Sequence, residues 1–246
     1  VRPLNPKELL NVWEYGLNQP LFQRSLYLLA SACPEMGWEA VAQLTVGERD
    51  ARLLTLREWM FGSRLMNMAD CPKCKERVEW ETDIADIRLQ PALELKPANE
   101  YMLEQDGYTV RFRLPNSIDI SAAVQDTSAS SATQKIITRC VIEASSKGNA
   151  CSIEKLPDHI LKALSRRMDE LDPQADIRMQ LTCPRCAHQW ETLFDIASIL
   201  WHEINHWAER MLLTVHRLAK AYGWSEQDIL SMSPIRRQFY LELVTR

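Results

Sequence analysis

Four of the seven cysteines in this chain form two C-P-x-C pairs, Cys71 with Cys74 and Cys183 with Cys186. Two thiols at that spacing present their sulfurs to one metal ion or act as a redox dithiol. The pairs belong to a longer duplication. CPKCKERVEWETDIADI at 71–87 and CPRCAHQWETLFDIASI at 183–199 align without a gap. Cys71 then falls on Cys183, Cys74 on Cys186, Glu79 on Glu191 and Asp83 on Asp195. Structural zinc takes four ligands in a tetrahedron; one pair leaves the shell open and two close it. The duplication therefore predicts one structural zinc on Cys71, Cys74, Cys183 and Cys186, each copy being half of a zinc ribbon. Lys73, Lys75, Arg77 and Arg185 would soften the charge of four thiolates. A redox pair, the alternative, sits where a strand meets a helix N-terminus. Here VEWE and HQWETLF follow and read as strand. A metal-free site is the remaining alternative.

The residue after the second cysteine of such a knuckle often turns left-handed, a place for glycine, yet here it is Lys75 or Ala187. A left-handed turn there would cost about 1–2 kcal/mol each. Structural zinc binding, at roughly 10 kcal/mol or more, absorbs that. His188 lies two residues beyond Cys186, where strand geometry points it away from the Cys186 face.

A second chemical pattern is HEINH, at 202–206. H-E-x-x-H is the zinc-peptidase signature, with two histidines as ligands and the glutamate as general base. Winding the segment at about 100° per residue puts His202 and His206 opposite the apolar stripe, on a face shared with Glu209, Arg217 and Lys220. That is a solvated face, whereas catalytic zinc needs a cleft. A third ligand is also unclear: His216 is carried away along the helix, and Glu226 lies past a turn.

Composition removes other classes. Lys plus Arg is 29 against 33 Asp plus Glu, a net charge of -4, with no basic run for tracking phosphates, so no nucleic-acid partner is expected. The seven glycines are scattered, which excludes the P-loop and the dinucleotide fingerprint. No G-x-S-x-G elbow occurs. No apolar stretch approaches the roughly 20 residues of a membrane span. The start, VRPLNPKELL, lacks the layout of a secretion signal, and a cytoplasmic setting is expected. The single cysteines, Cys33, Cys140 and Cys151, read as core residues.

The elements that must position these groups are mostly helical. Asn5-Pro6, Pro20 and Thr45 each open a helix, the last ended by Gly62. Residues 64–82 read as strand, knuckle, strand. YMLEQDGYTVRFRL is a hairpin turning at Asp106-Gly107. A Ser/Ala-rich stretch, DTSASSATQ, leads to a helix at about 132–144; SSKGNACS reads as a loop, and Pro157 opens a helix to about Leu171. One long helix runs from Asp195 to Tyr222, with Leu200, Ile204, Trp207, Met211, Val215, Leu218 and Tyr222 as its stripe. Trp201, Trp207 and Trp224 read as packing residues. Ser225 caps a short helix and Ser233-Pro234 opens the last, IRRQFYLELV, a docking helix more than a DNA reader. The expected fold class is α+β, mainly helical. It divides into an N-terminal helical segment (1–62), a split zinc-ribbon-like core (63–88 with 172–195), an inserted hairpin and helices (89–171), and a C-terminal helical segment (196–246).

LLNVWEYGLNQPLFQRSLYLLA, GERDARLLTLREWMFG and CPKCKERVEWETDIADI resemble the baseplate hub assembly protein family of T-even-type phages and related contractile injection systems. DPQADIRMQLTCPRCAHQWETLFDIASILW and VHRLAKAYGWSEQDILSMSPIRRQFYLELV carry the same likeness through the second half. It covers most of the chain and is weakest at about 89–150. The resemblance implies a non-enzymatic assembly chaperone or minor baseplate component, with baseplate, hub or spike proteins as partners. It also implies the four cysteines as metal ligands and the tail helices as a docking surface. HEINH is not a mark of that family, and Lys75 and Ala187 depart from its usual glycine. A zinc metallopeptidase using the HEINH helix is the alternative function.

Overall fold

The computed structural model describes residues 1–89, 100–123 and 128–245. The fold is α+β and mainly helical, with three small antiparallel sheets among the described residues. The first helices are α1 (Pro6–Gly16), α2 (Leu21–Ala32), α3 (Trp38–Ala42) and α4 (Val46–Phe61). The Asn5 and Thr45 side chains accept from the amides of Glu8 and Glu48, and both glutamates return the bond, so α1 and α4 start on capping boxes. β1 (Arg64–Asp70) and β2 (Arg77–Asp83) form the first knuckle hairpin, followed by one turn of helix, α5 (Ile84–Ile87).

The insertion holds β3 (Tyr101–Gln105), β4 (Tyr108–Phe112), α6 (Ser117–Ala123), α7 (Ala129–Cys140), β5 (Val141–Ser146), β6 (Asn149–Ala150) and α8 (Asp158–Leu171). Its strands make one sheet in the order β3-β4-β5-β6, turning at Asp106-Gly107 as expected. Two expectations fail here. The helix placed at 132–144 starts at Ala129 and ends at Cys140, and residues 141–146 are strand. The stretch IITRCVI at 136–142, rich in β-branched residues, reads equally as helix or strand, and pairing with the free edge of β4 decides it. SSKGNACS is largely a second hairpin, β5 to β6, through Lys147-Gly148, both with positive φ. Residues 126–127 of the Ser/Ala-rich stretch lie outside the described residues.

β7 (Arg178–Thr182) and β8 (Gln189–Leu193) form the second knuckle hairpin. Then come α9 (Ile196–Tyr222), α10 (Glu226–Ser231) and α11 (Pro234–Thr245). At 27 residues α9 is about 40 Å long, and it joins two apolar cores. Its first half carries Leu200, Trp201 and Ile204 into the core of α1, α2 and α4. Its second half packs Met211, Val215 and Leu218 against Leu10, Ile229 and Leu230. Tyr222, expected in the stripe, is exposed and stacks on Trp224 at 4.4 Å instead. α9 lies close enough to α1 that only glycine fits at position 16: a Cβ there would meet the Trp201 ring at 2.2 Å. The insertion has its own core around Phe112, Ile160 and Leu164. Of the single cysteines Cys33 and Cys140 are buried as expected, whereas Cys151 is partly exposed.

Candidate metal centre

Each knuckle is built by the same backbone bonds. In the first, the Cys71 amide donates to the Glu76 carbonyl (2.8 Å) and the Lys75 amide to the Cys71 carbonyl (2.9 Å). In the second, Cys183 donates to His188 and Ala187 to Cys183, both at 2.9 Å. Lys75 and Ala187 have φ of 60° and 55°, the left-handed region that glycine prefers. Ala187→Gly is expected to leave stability equal or up to about 1 kcal/mol higher. Ala187→Val should lower it, since a branched Cβ fits that backbone worst. Thermal melts should order the three as Gly, Ala, Val.

The duplication continues past the sulfurs. Asp83 accepts from the Ala85 amide at 2.9 Å, and Asp195 from those of Ala197 and Ser198 at 3.0 and 3.2 Å, so each hairpin leads into a capped helix. Glu79 and Glu191, matched by the duplication, are both exposed and pair across their hairpins with Met68 and Gln180.

The two hairpins bring all four sulfurs together. Cys71 Sγ lies 3.7 Å from Cys186 Sγ, Cys74 Sγ lies 3.6 Å from Cys183 Sγ, and all four sit within 4.8 Å of one another. Ligands about 2.3 Å from a tetrahedral zinc are about 3.8 Å apart; a disulfide needs about 2.05 Å. The set matches a metal shell and is too wide for disulfides. Cys71 and Cys183 are buried, Cys74 and Cys186 partly exposed.

The electrostatics suit a cation. Burial raises the Cys71 thiol, but the amides of Cys74 and Lys73 and the neighbouring sulfurs outweigh it and bring it to about 7. The Glu76 amide favours the Cys74 thiolate, yet burial and the other three sulfurs push that thiol up to about 12. One thiolate therefore forms readily and the next resists. Four become compatible when a divalent ion neutralises them. The four cysteines fit a single soft metal ion. Arg185 reaches Glu76 at 3.2 Å across the knuckles, an exposed pair of small weight. His188 stacks beside Trp190 at 6.2 Å and is outside the sulfur cluster.

HEINH sits on α9 with His202 and His206 exposed, as the helical winding predicts. Glu203 lines the same groove as His202, with its carboxylate turned to Arg57. Its two carboxylate oxygens accept from Arg57 Nε (2.9 Å) and Nη2 (2.5 Å). A peptidase base takes a proton from water, and here both carboxylate oxygens hold an arginine. Arg57 is 4% exposed and Glu203 27%. Removing one partner of a fully buried pair costs about 3–5 kcal/mol; with Glu203 partly open to water, Glu203→Ala is expected to cost about 2 kcal/mol. The readout is a lower urea midpoint at unchanged slope.

Sequence reasoning missed a groove of about 410 Å³ between the hairpins and the start of α9. Met66, Met68 and Leu193 line it and are exposed. Asn67 also lines it: its amide donates to Thr82 Oγ1 at 3.0 Å, while its buried Oδ1 has no partner among the described residues. The alternating M-N-M of β1 was the available signal. No helix among the described residues is long and apolar enough to cross a membrane.

A family model described as T4 bacteriophage base plate protein matches residues 25–201, a span that contains all four cysteines. No curated protein and no solved structure matches the chain.

Proposed function

The chain belongs to the T4 bacteriophage base plate protein family, and from that premise we propose a non-enzymatic protein of baseplate hub assembly. It acts as a chaperone or as a minor component of a contractile tail or tail-like injection system. Zinc, held by Cys71, Cys74, Cys183 and Cys186, is structural in this reading: all four positions of the shell are taken by protein, leaving none for substrate. Its work is to tie two halves of the chain together so that the helices flanking them are held rigidly.

One observation carries the docking role. On α11, Ile235, Phe239 and Leu243 recur at every fourth position and are 83%, 61% and 45% exposed. The other side of the same helix packs Tyr240, Leu241 and Val244 against the core of Met211, Val215 and Leu218. An apolar stripe at that spacing, backed by a fixed helix, is what a partner's groove accepts. Baseplate proteins are the partners that the family implies, and a hub or spike protein is the one proposed.

Co-expression of the full chain with each hub and spike protein of its own tail cluster, followed by size-exclusion chromatography, tests the reading. A stable complex with one of them is expected. Migration of the chain alone in every case would sink it. Mass spectrometry of finished particles then separates the two roles, since a chaperone is absent from them and a component is present.

A further inference from the structure

We propose that His202 and His206 form a second metal site, an open two-imidazole chelate for a divalent ion of the zinc, nickel or copper class. The two residues stand one turn apart on the exposed side of α9, and their Nε2 atoms converge to 3.0 Å with the rings at 89°. Two imidazoles on one tetrahedral ion, each about 2.0–2.1 Å from it, hold their nitrogens about 3.3 Å apart. A shift of a few tenths of an ångström in exposed side chains separates the two arrangements.

The Nε2 atoms are the nitrogens that converge. Glu209 lies 3.8 Å from His206 Nδ1, on the far side of the ring from the Nε2 contact, and an ion would replace the proton that the two Nε2 atoms share at 3.0 Å. Asn205 Nδ2 donates to Glu209 at 3.0 Å, and Trp13 Nε1 donates to Asn205 Oδ1 at 2.9 Å. This chain of bonds ties the second-sphere carboxylate to α1. With Glu203 held by Arg57, the protein supplies two ligands, and the remaining positions stay with water. Such an ion exchanges readily and lacks a general base, which separates it from both the cysteine site and a peptidase centre.

The test is calorimetric titration of nickel into the full chain with its cysteine site already loaded with zinc, zinc release being followed in parallel. About one nickel per chain without zinc release is expected. His202→Ala and His206→Ala should each weaken binding by more than about tenfold, a first-sphere ligand being worth more than the second-sphere groups whose loss costs about 10–100-fold. His216→Ala should leave it unchanged. His202→Gln and His206→Gln, with far-UV circular dichroism, give the same reading should an alanine variant lose structure. Absence of nickel binding, or binding equal in wild type and the His202→Ala/His206→Ala variant, overturns the proposal.

Discussion

Cys71→Ser is expected to cost about 5 kcal/mol and to leave little folded protein at 37 °C. Cys71 and Cys186 are 115 positions apart in the chain, and Cys74 and Cys183 are 109 apart. A cross-link that closes a loop of about 100 residues removes about 4.7 kcal/mol of unfolded-state entropy. Domains have only about 5–15 kcal/mol in total. Serine keeps the shape of the side chain but not the soft thiolate, so the ion loses one of two ligands on that knuckle. Cys183→Ser, its counterpart in the second copy, should behave alike, and a strong chelator should reproduce both. Cys151→Ser is the control: that residue is partly exposed and outside the cluster, so its change should stay within about 0.5 kcal/mol. Urea unfolding of the purified variants measures all of these. A Cys71→Ser protein as stable as wild type would contradict the structural role.

Phe239→Asp is expected to weaken binding to the hub or spike partner by more than a hundredfold without changing the fold. An aromatic anchor at the centre of an interface contributes about 2 kcal/mol or more. A carboxylate forced into an apolar contact adds a desolvation cost. Together these exceed about 3 kcal/mol, and each 1.4 kcal/mol is roughly a factor of ten. Ile235 and Leu243 flank Phe239 on the same stripe, and aspartate there should have the same sign with smaller size. Phe239 is 61% exposed in the chain alone, so melting temperatures should agree with wild type. Calorimetry with the partner measures the loss; undiminished binding would move the docking surface off α11.

The cysteines were legible because the chemistry writes itself in spacing. Two C-P-x-C pairs inside a duplicated stretch imply four sulfurs at one point, whatever the intervening fold. Caps were legible for the same local reason: Asn5, Thr45, Asp195 and Ser225 each bond amides two or three residues on. What failed depended on distant partners. Residues 141–146 join β4, and nothing within the stretch Ile136–Ile142 announces that pairing. Lys147-Gly148 did carry a turn signal, which composition around it masked as loop. Cys151 lies just past β6, the edge strand of its sheet, and is partly exposed there. Glu203 illustrates the limit most sharply. HEINH reads as a peptidase motif in one dimension, and Arg57, 146 positions away, takes its carboxylate. The groove of Met66, Met68 and Asn67 likewise exists only once two hairpins and α9 meet.

X-ray absorption at the zinc edge of the protein as purified tests the central claim most directly. One ion per chain ringed by four sulfurs at about 2.3 Å is the predicted spectrum. A shell of nitrogen and oxygen, or a well-folded protein without bound metal, would contradict it.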